Sequence, residues 1–117
     1  MVETISKDTS KKLDKHLRKF EECRKELGKI GFILTGSIVK RFMQCGKESC
    51  RCMSDPMFKH GPYYEWTRKV KGKTISVRLT EEEANILAGW IKNKRRFYEV
   101  VSEMERITLD ALNEIRS

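Results

Sequence analysis

Several features that identify common protein classes are scarce or missing in this chain. No apolar run approaches the roughly 18 residues that a membrane-spanning helix requires. The first residues, Met-Val-Glu-Thr-Ile-Ser-Lys-Asp, lack the apolar stretch of a signal peptide. There are only two histidines and two prolines, and no repeat or low-complexity segment occurs. We therefore expect a cytoplasmic protein that does not associate with membranes.

The patterns that mark an enzyme are also missing. The sequence contains no Ser-His-Asp arrangement, no paired catalytic carboxylates and no glycine-rich loop that could cradle phosphate groups. No His-x-Glu motif accompanies the cysteines, as a zinc deaminase would require. We predict that the protein is not an enzyme.

Length and composition bound the architecture. The chain has 117 residues, of which 36% are charged and 38% apolar, which fits a single domain over residues 1–117. Such a composition leaves a small core, or one shared with a partner. Residues 38–80 carry ten basic and three acidic side chains, net +7, against a formal charge of +8 for the whole chain. This concentration of positive charge favours a polyanionic partner.

Three cysteines and a histidine lie within this basic segment, at Cys45, Cys50, Cys52 and His60. Thiolates and imidazole are ligands that tetrahedral Zn²⁺ prefers, and four protein ligands leave no open position for water. The spacing therefore predicts a structural Zn²⁺ site.

Other interpretations of the cysteines stay open. A secreted disulfide protein is disfavoured, because no signal peptide is expected and a single residue separates Cys50 from Cys52. An iron–sulfur cluster on three cysteines is a minor alternative. If His60 is not a ligand, three thiolates would form an open and reactive site. Cys23 lies far from the cluster and is interpreted as a small buried hydrophobe.

An amphipathic helix is predicted over residues 6–28. Its apolar positions at helical spacing are Leu13, Leu17, Phe20 and Leu27. Ser10 is the predicted N-cap, and Gly28 is the predicted stop.

Residues 32–79 are predicted to form a zinc-pinned β region. The stretch 32–44 is predicted to be extended, with Gly36 at a bend or bulge. A hairpin is predicted over residues 62–79, because Lys71-Gly72 suits a two-residue turn. That turn pairs residue 70 with 73, 68 with 75, 66 with 77 and 64 with 79, which places most apolar side chains on one face.

Residues 80–116 are predicted to form a long helical segment that begins with a capping box at Thr80 and Glu83. An unbroken helix of this length would extend about 54 Å, which exceeds the width of a small domain. We therefore expect a break at Gly89 or Asn93, or packing of the far half against the N-terminal helix or a second chain. These elements predict an α+β fold: an N-terminal helix, a small antiparallel sheet with a zinc knuckle, and a long C-terminal helical segment.

The basic segment predicts a nucleic-acid-binding surface. The candidate contact residues are Lys40, Arg41, Lys47, Arg51, Lys59, Arg68, Lys69, Lys71, Lys73 and Arg78. A two-stranded ribbon can enter the major groove of DNA, so DNA is favoured over RNA as the partner, and RNA stays open as an alternative. If the partner is DNA, we expect a nucleoid-associated location. The alternative for the hairpin is an ordinary solvated surface.

A second function is considered beside nucleic-acid binding. A lone helix over residues 80–116 would leave many apolar side chains exposed to solvent. This exposure suggests an oligomerising protein-interaction module with a structural zinc site. The predicted partner in that case is a second copy of the chain, joined as a homodimer through the C-terminal helix.

Several short strings of the sequence are distinctive. They are Gly36-Ser37-Ile38-Val39, Cys45-Gly46-Lys47, Cys50-Arg51-Cys52, His60-Gly61-Pro62-Tyr63-Tyr64 and Gly72-Lys73-Thr74. Together they resemble a family of small prokaryotic proteins with a domain of unknown function, whose members often lie near transposases or other mobile-element genes. The resemblance covers roughly residues 35–115 and leaves out the N-terminal helix. It implies that the three clustered cysteines and His60 act as a set, and it assigns no activity.

Overall fold

A computed structural model describes residues 4–43, 49–53, 55 and 60–117. In chain order the elements are helix α1 (Lys7–Leu27), strand β1 (Ser37–Met43), a short 3₁₀ helix (Arg51–Met53), strand β2 (His60–Val70), strand β3 (Lys73–Leu79) and helix α2 (Glu81–Arg116). The three strands form one antiparallel sheet in the order β1-β2-β3. The predicted α+β fold is therefore confirmed. No helix among the described residues is long and apolar enough to cross a membrane.

The chain divides into two compact units. The helical unit comprises Met1–Gly31 and Asn93–Ser117, and the sheet unit comprises Phe32–Lys92. The boundary within α2 falls close to Asn93, where a break in the helix was expected, but the helix is continuous from Glu81 to Arg116.

Helix α1 begins earlier than its apolar pattern indicates. Ser6, and not Ser10, is the N-cap, and its hydroxyl accepts a hydrogen bond of 3.2 Å from the backbone N–H of Thr9. The prediction of Ser10 was wrong because the hydrophobic periodicity that was used to place the helix start begins at Leu13. The first turn of the helix is polar and does not contribute to that periodicity. The helix ends at Leu27, and Gly28 follows as the C-cap, as predicted.

The core of the helical unit lies between α1 and the second half of α2. Cys23, Val100 and Ile107 are buried, and Phe20 is among the partly buried residues packed against them. At one end of the pair, the Nε2–H group of the buried His16 donates a hydrogen bond of 2.9 Å to a carboxylate of α2. Of the alternatives open for the long helix, packing of its far half against the N-terminal helix is the one observed.

Helix α2 starts at the predicted capping box. The backbone N–H of Thr80 donates to Glu83 Oε1 at 2.8 Å, and the backbone N–H of Glu83 donates to Thr80 Oγ1 at 3.1 Å. Two N–H groups at the helix terminus, which have no partner within the helix, are thus satisfied reciprocally.

The hairpin has the predicted register. Val70 pairs with Lys73, and the pairing continues to Tyr64 opposite Leu79. The turn residues Lys71 and Gly72 both have positive φ values, 50° and 80°. This geometry is the one for which an x-Gly turn is suited, because glycine adopts positive φ without steric cost.

Strand β1 is shorter than the extended segment predicted over 32–44. It starts at Ser37, while residues 30–35 have no regular structure. Gly36 has φ +129°, and a Cβ atom there would lie 2.4 Å from Trp66 Nε1 and 2.6 Å from Thr67 O. The predicted bend at Gly36 therefore precedes the strand, and the register shift of the sheet lies further on, between Arg41 and Met43.

The sheet unit buries very little. Among its described residues only Ala84, at 3% exposure, is fully buried. The segment before β1 packs against aromatic side chains: Phe32 lies edge-on to Trp90 with ring centroids 5.1 Å apart, and Thr35 O accepts a hydrogen bond of 2.9 Å from Trp66 Nε1. A unit of this size with so small a core needs a further source of stability.

Candidate functional site

Two of the four predicted metal ligands are adjacent in the structure. Cys50 Sγ lies 3.1 Å from His60 Nε2. His60 is the first residue of β2 and pairs with Met43, the last residue of β1, so both strands deliver the chain to the cysteine-rich segment. Two ligands of one tetrahedral zinc ion, a sulfur and a nitrogen, would be about 3.5 Å apart. The observed pair is within half an ångström of that separation.

The other two predicted ligands, Cys45 and the side chain of Cys52, lie outside the described part of the chain. Within the described ranges no group of three or more potential metal ligands comes together. The donors that are described, a thiol and an imidazole nitrogen, are of the kind that suits Zn²⁺.

Backbone packing beside His60 restricts the next residue. Gly61 has φ +136°, and a Cβ atom there would lie 2.7 Å from Arg41 O. Only glycine allows β2 to approach β1 this closely at the start of the strand. The predicted ligand His60 therefore stands where two strands are held together tightly.

The hairpin of β2 and β3 extends beyond the rest of the sheet. Strand β1 pairs with β2 only as far as Thr67, whereas the hairpin pairing continues through three further pairs to the turn. Residues 68–75, which we call the basic tip, therefore form a two-stranded ribbon about 10 Å long.

The basic tip concentrates cations. It carries Arg68, Lys69, Lys71 and Lys73, and the stretch from residue 66 to residue 80 contains no carboxylate at all. The three lysines are exposed and form no ion pair with any described residue. The tip is therefore a solvent-facing group of positive charges that the rest of the described sheet does not neutralise.

Arg68 differs from the three lysines. Its guanidinium carbon lies 3.9 Å from the centroid of the Trp66 ring, and its Nη1 atom is buried without a described hydrogen-bond partner. Its side chain lies on the neighbouring indole, which is on the same face of the strand.

One face of the sheet is polar. The side chains that alternate onto this polar face are Ser37, Val39 and Arg41 from β1, Tyr63, Glu65, Thr67 and Lys69 from β2, and Thr74, Ser76 and Arg78 from β3. Glu65, the only acidic residue of this face, lies 3.5 Å from Arg41 in an ion pair. The guanidinium carbon of Arg78 lies 4.3 Å from the centroid of the Tyr63 ring.

The other predicted contact residues are dispersed. Lys40 is on the opposite face from Arg41, with its ammonium group 5.7 Å from the Phe42 ring centroid. Arg51 is exposed on the 3₁₀ helix. Lys47 and Lys59 lie outside the described residues. Sequence reasoning missed the place of Ser37 on the polar face, because no pattern in the sequence fixed the register of β1 against β2.

Fold and site together define a small α+β protein with a pair of packed helices and a three-stranded sheet that projects a basic hairpin. The chain belongs to the domain-of-unknown-function family DUF6788, whose model matches residues 10–88. This range includes most of α1 and ends early in α2, so it differs at both ends from the extent expected from the sequence strings. No curated protein and no solved structure matches the chain.

Proposed function

We propose that the protein binds nucleic acid without catalysing a reaction, and that it binds duplex DNA through the basic tip. The observation that carries this proposal is the unneutralised group of cations on a ribbon that extends past β1. Two strands fit within the major groove of B-DNA, about 12 Å wide, whereas a third strand would make the sheet too wide to enter. The ribbon would therefore reach the groove with the tip, while the three-stranded part stays outside.

The same proposal includes a structural Zn²⁺ ion. Its ligands would be Cys45, Cys50, Cys52 and His60. The ion would cross-link the chain at the end of the sheet where Met43 of β1 pairs with His60 of β2, and it would have no catalytic role. Two observations support it: the 3.1 Å approach of Cys50 to His60, and the near absence of buried residues in the described sheet unit. Structural zinc commonly stabilises domains whose hydrophobic core is too small to do so.

The test measures binding to a 20-base-pair duplex by fluorescence anisotropy at several salt concentrations. The slope of log K against log salt is negative, and each lost phosphate contact reduces its magnitude by about 0.9. The double variant Lys71→Ala/Lys73→Ala is therefore expected to reduce the magnitude of the slope by about 1.8. The control Lys11→Ala/Lys25→Ala removes the same charge from exposed positions of α1 and should leave the slope unchanged. Equal losses in both variants would show that net charge, not the tip, governs binding.

A second candidate function is supported by the helical unit. At 100° per residue, one side of α2 carries mainly apolar side chains and the opposite side carries charged ones. On the apolar side Leu112 and Ile115 remain 42% and 39% exposed, and Leu17 of α1 is 54% exposed. An open groove of about 230 Å³ lies between the two helices on this side. Homodimerisation through α2 would cover these side chains, and sedimentation equilibrium would detect it.

The two functions are compatible, since many DNA-binding proteins act as dimers. A cytoplasmic, nucleoid-associated location is part of the DNA-binding proposal. Fluorescence imaging of a tagged chain would test it, because loss of the tip lysines should then spread the signal away from the nucleoid.

A further inference from the structure

The polar face of the sheet offers a different kind of surface from the basic tip. Its aromatic ring, Tyr63, is half-buried and lies under the guanidinium group of Arg78. In the adjoining rows of the sheet, Ser37, Thr67 and Ser76 are paired across the three strands, and Lys69 and Thr74 follow. The face thus combines a planar stack at one end with hydroxyl groups and a lysine towards the other.

Arg78 forms no ion pair with any carboxylate in the part of the chain that the structure describes. It is directly opposite Glu65 in the pairing of β2 with β3, yet the described ion pair of that carboxylate is with Arg41. Arg78 stacks on the tyrosine instead. A guanidinium group in this position keeps its N–H donors at its edges and presents a flat cationic surface, on which a base can stack.

The face cannot be reached by a base within a duplex. It spans three strands that are about 4.8 Å apart, with side chains at both edges, so it does not fit the major groove. Bases in a duplex are already stacked on each other, whereas an unpaired base can be turned out onto an aromatic or arginine surface. Hydroxyl groups and a lysine can then contact the phosphate and sugar of the neighbouring nucleotides.

We propose that the polar face is a separate subsite for single-stranded nucleic acid, in which an unpaired base stacks at the Tyr63–Arg78 pair and the backbone runs over Thr67, Ser76 and Lys69. This inference rests on the proposed nucleic-acid-binding function and adds a second class of ligand to it. The tip would hold duplex, and the polar face would hold an adjoining unpaired strand. The favoured ligand is then a duplex with a single-stranded overhang.

The test compares three fluorescent probes: a 12-nucleotide oligothymidine, a 20-base-pair duplex, and the same duplex with a 12-nucleotide thymidine overhang. Loss of one base-stacking contact typically weakens binding about fivefold to a hundredfold. Tyr63→Ala is expected to weaken binding of the oligothymidine by this factor and binding of the blunt duplex by less than twofold. Tyr63→Phe keeps the ring and should retain single-strand binding. Arg78→Lys keeps the charge but not the planar stack and should lose it.

Two results would overturn the inference while leaving the proposed function intact. One is duplex binding by the wild type without any gain from the overhang. The other is an equal loss of oligothymidine and duplex binding in a Tyr63→Ala protein that keeps the wild-type circular-dichroism spectrum, because the ring then does not serve single strands separately. Photocrosslinking of wild-type protein to an oligonucleotide with 5-iodouracil needs no variant. Attachment at Tyr63 supports the subsite, and attachment confined to residues 68–75 contradicts it. If the wild type binds none of the probes, the proposed function itself fails.

Discussion

Removal of the proposed Zn²⁺ ion should unfold the sheet and leave the packed helices folded. The two units differ in how they are stabilised. In the helical unit Val100 and Ile107 are 2% and 4% exposed and Cys23 lies against them, while the described sheet unit buries only Ala84. The candidate ligands all belong to the sheet unit. Chelation should therefore act on one unit and not the other.

The expected magnitude is large. For a unit of this size, hydrophobic burial and conformational entropy nearly cancel, so that stability without an added cross-link is near zero. Structural zinc contributes about 10–16 kcal/mol of apparent binding free energy in small zinc peptides at neutral pH. Loss of the metal should therefore abolish the folded sheet entirely, and not merely shift its melting temperature by a few degrees.

Hydrogen exchange resolves the two units in one experiment. After chelation, backbone amides of β2 and β3 should lose protection, while those around Val100 and Ile107 keep it. His60→Ala should reproduce this pattern and lower the zinc content below one ion per chain. Cys23→Ala is the matched control: it removes a buried cysteine of the helical unit and should leave one zinc per chain. Unchanged protection of β2 and β3 after the metal is removed would refute the reasoning.

Three further predictions concern local structure. Gly36→Ala should destabilise the sheet by about 2 kcal/mol or more, because the residue has φ +129° and no space for a Cβ atom. Gly89→Ala, on an open helix surface, should instead stabilise α2 by about 0.5–1 kcal/mol. A denaturant titration measures both changes. Thr80→Ala should cost about 1 kcal/mol through loss of the capping box, measured in the same way. Hydrogen bonds from Lys15 and His16 lower the pKa of Glu114. The ionised Glu114 carboxylate therefore stabilises the folded state above the ordinary glutamate pKa, and this stabilisation is lost as pH falls through the lowered pKa. The melting temperature of Glu114→Gln should accordingly depend less on pH in that acidic range than the melting temperature of the wild type.

Local patterns in the sequence were sufficient to predict the structure where a single short segment determines the backbone geometry. The x-Gly turn fixed both the φ values and the pairing of the hairpin, since a one-residue slip would have mixed its faces. The capping box fixed the start of α2 for the same reason, because its two hydrogen bonds connect residues three apart. Gly36, in contrast, was correctly expected at a bend, but its conformation depends on Trp66, thirty residues away.

Long-range contacts account for what the sequence did not reveal. Whether α2 breaks could not be read from Gly89 or Asn93, because the answer depends on α1 covering the apolar side chains around Val100. No local pattern in the sequence determines the register of β1 against β2 either, so the residues that share the polar face could not be predicted. Of the four predicted metal ligands, Cys50 and His60 are adjacent, as two ligands of one ion must be, and Cys45 and the side chain of Cys52 lie outside the described residues.

The basic tip differs from the rest of the protein in how its charges are arranged, more than in how many it carries. The helical unit has fourteen basic and eleven acidic side chains, net +3, so its cations are interspersed with nearly as many anions. Some form ion pairs, as Arg96 does with Glu26 and as Arg106 does with Glu103 and Asp110. The sheet unit has eleven basic and six acidic side chains, net +5, and three of those acids are at the start of α2. Interspersed charges on a helix surface attract a polyanion weakly, because nearby anions offset part of the attraction and salt screens the rest. The lysines of the basic tip have no acidic residue between positions 66 and 80. The proposed function therefore predicts that the tip, and not the helical unit, determines the salt dependence of nucleic-acid binding.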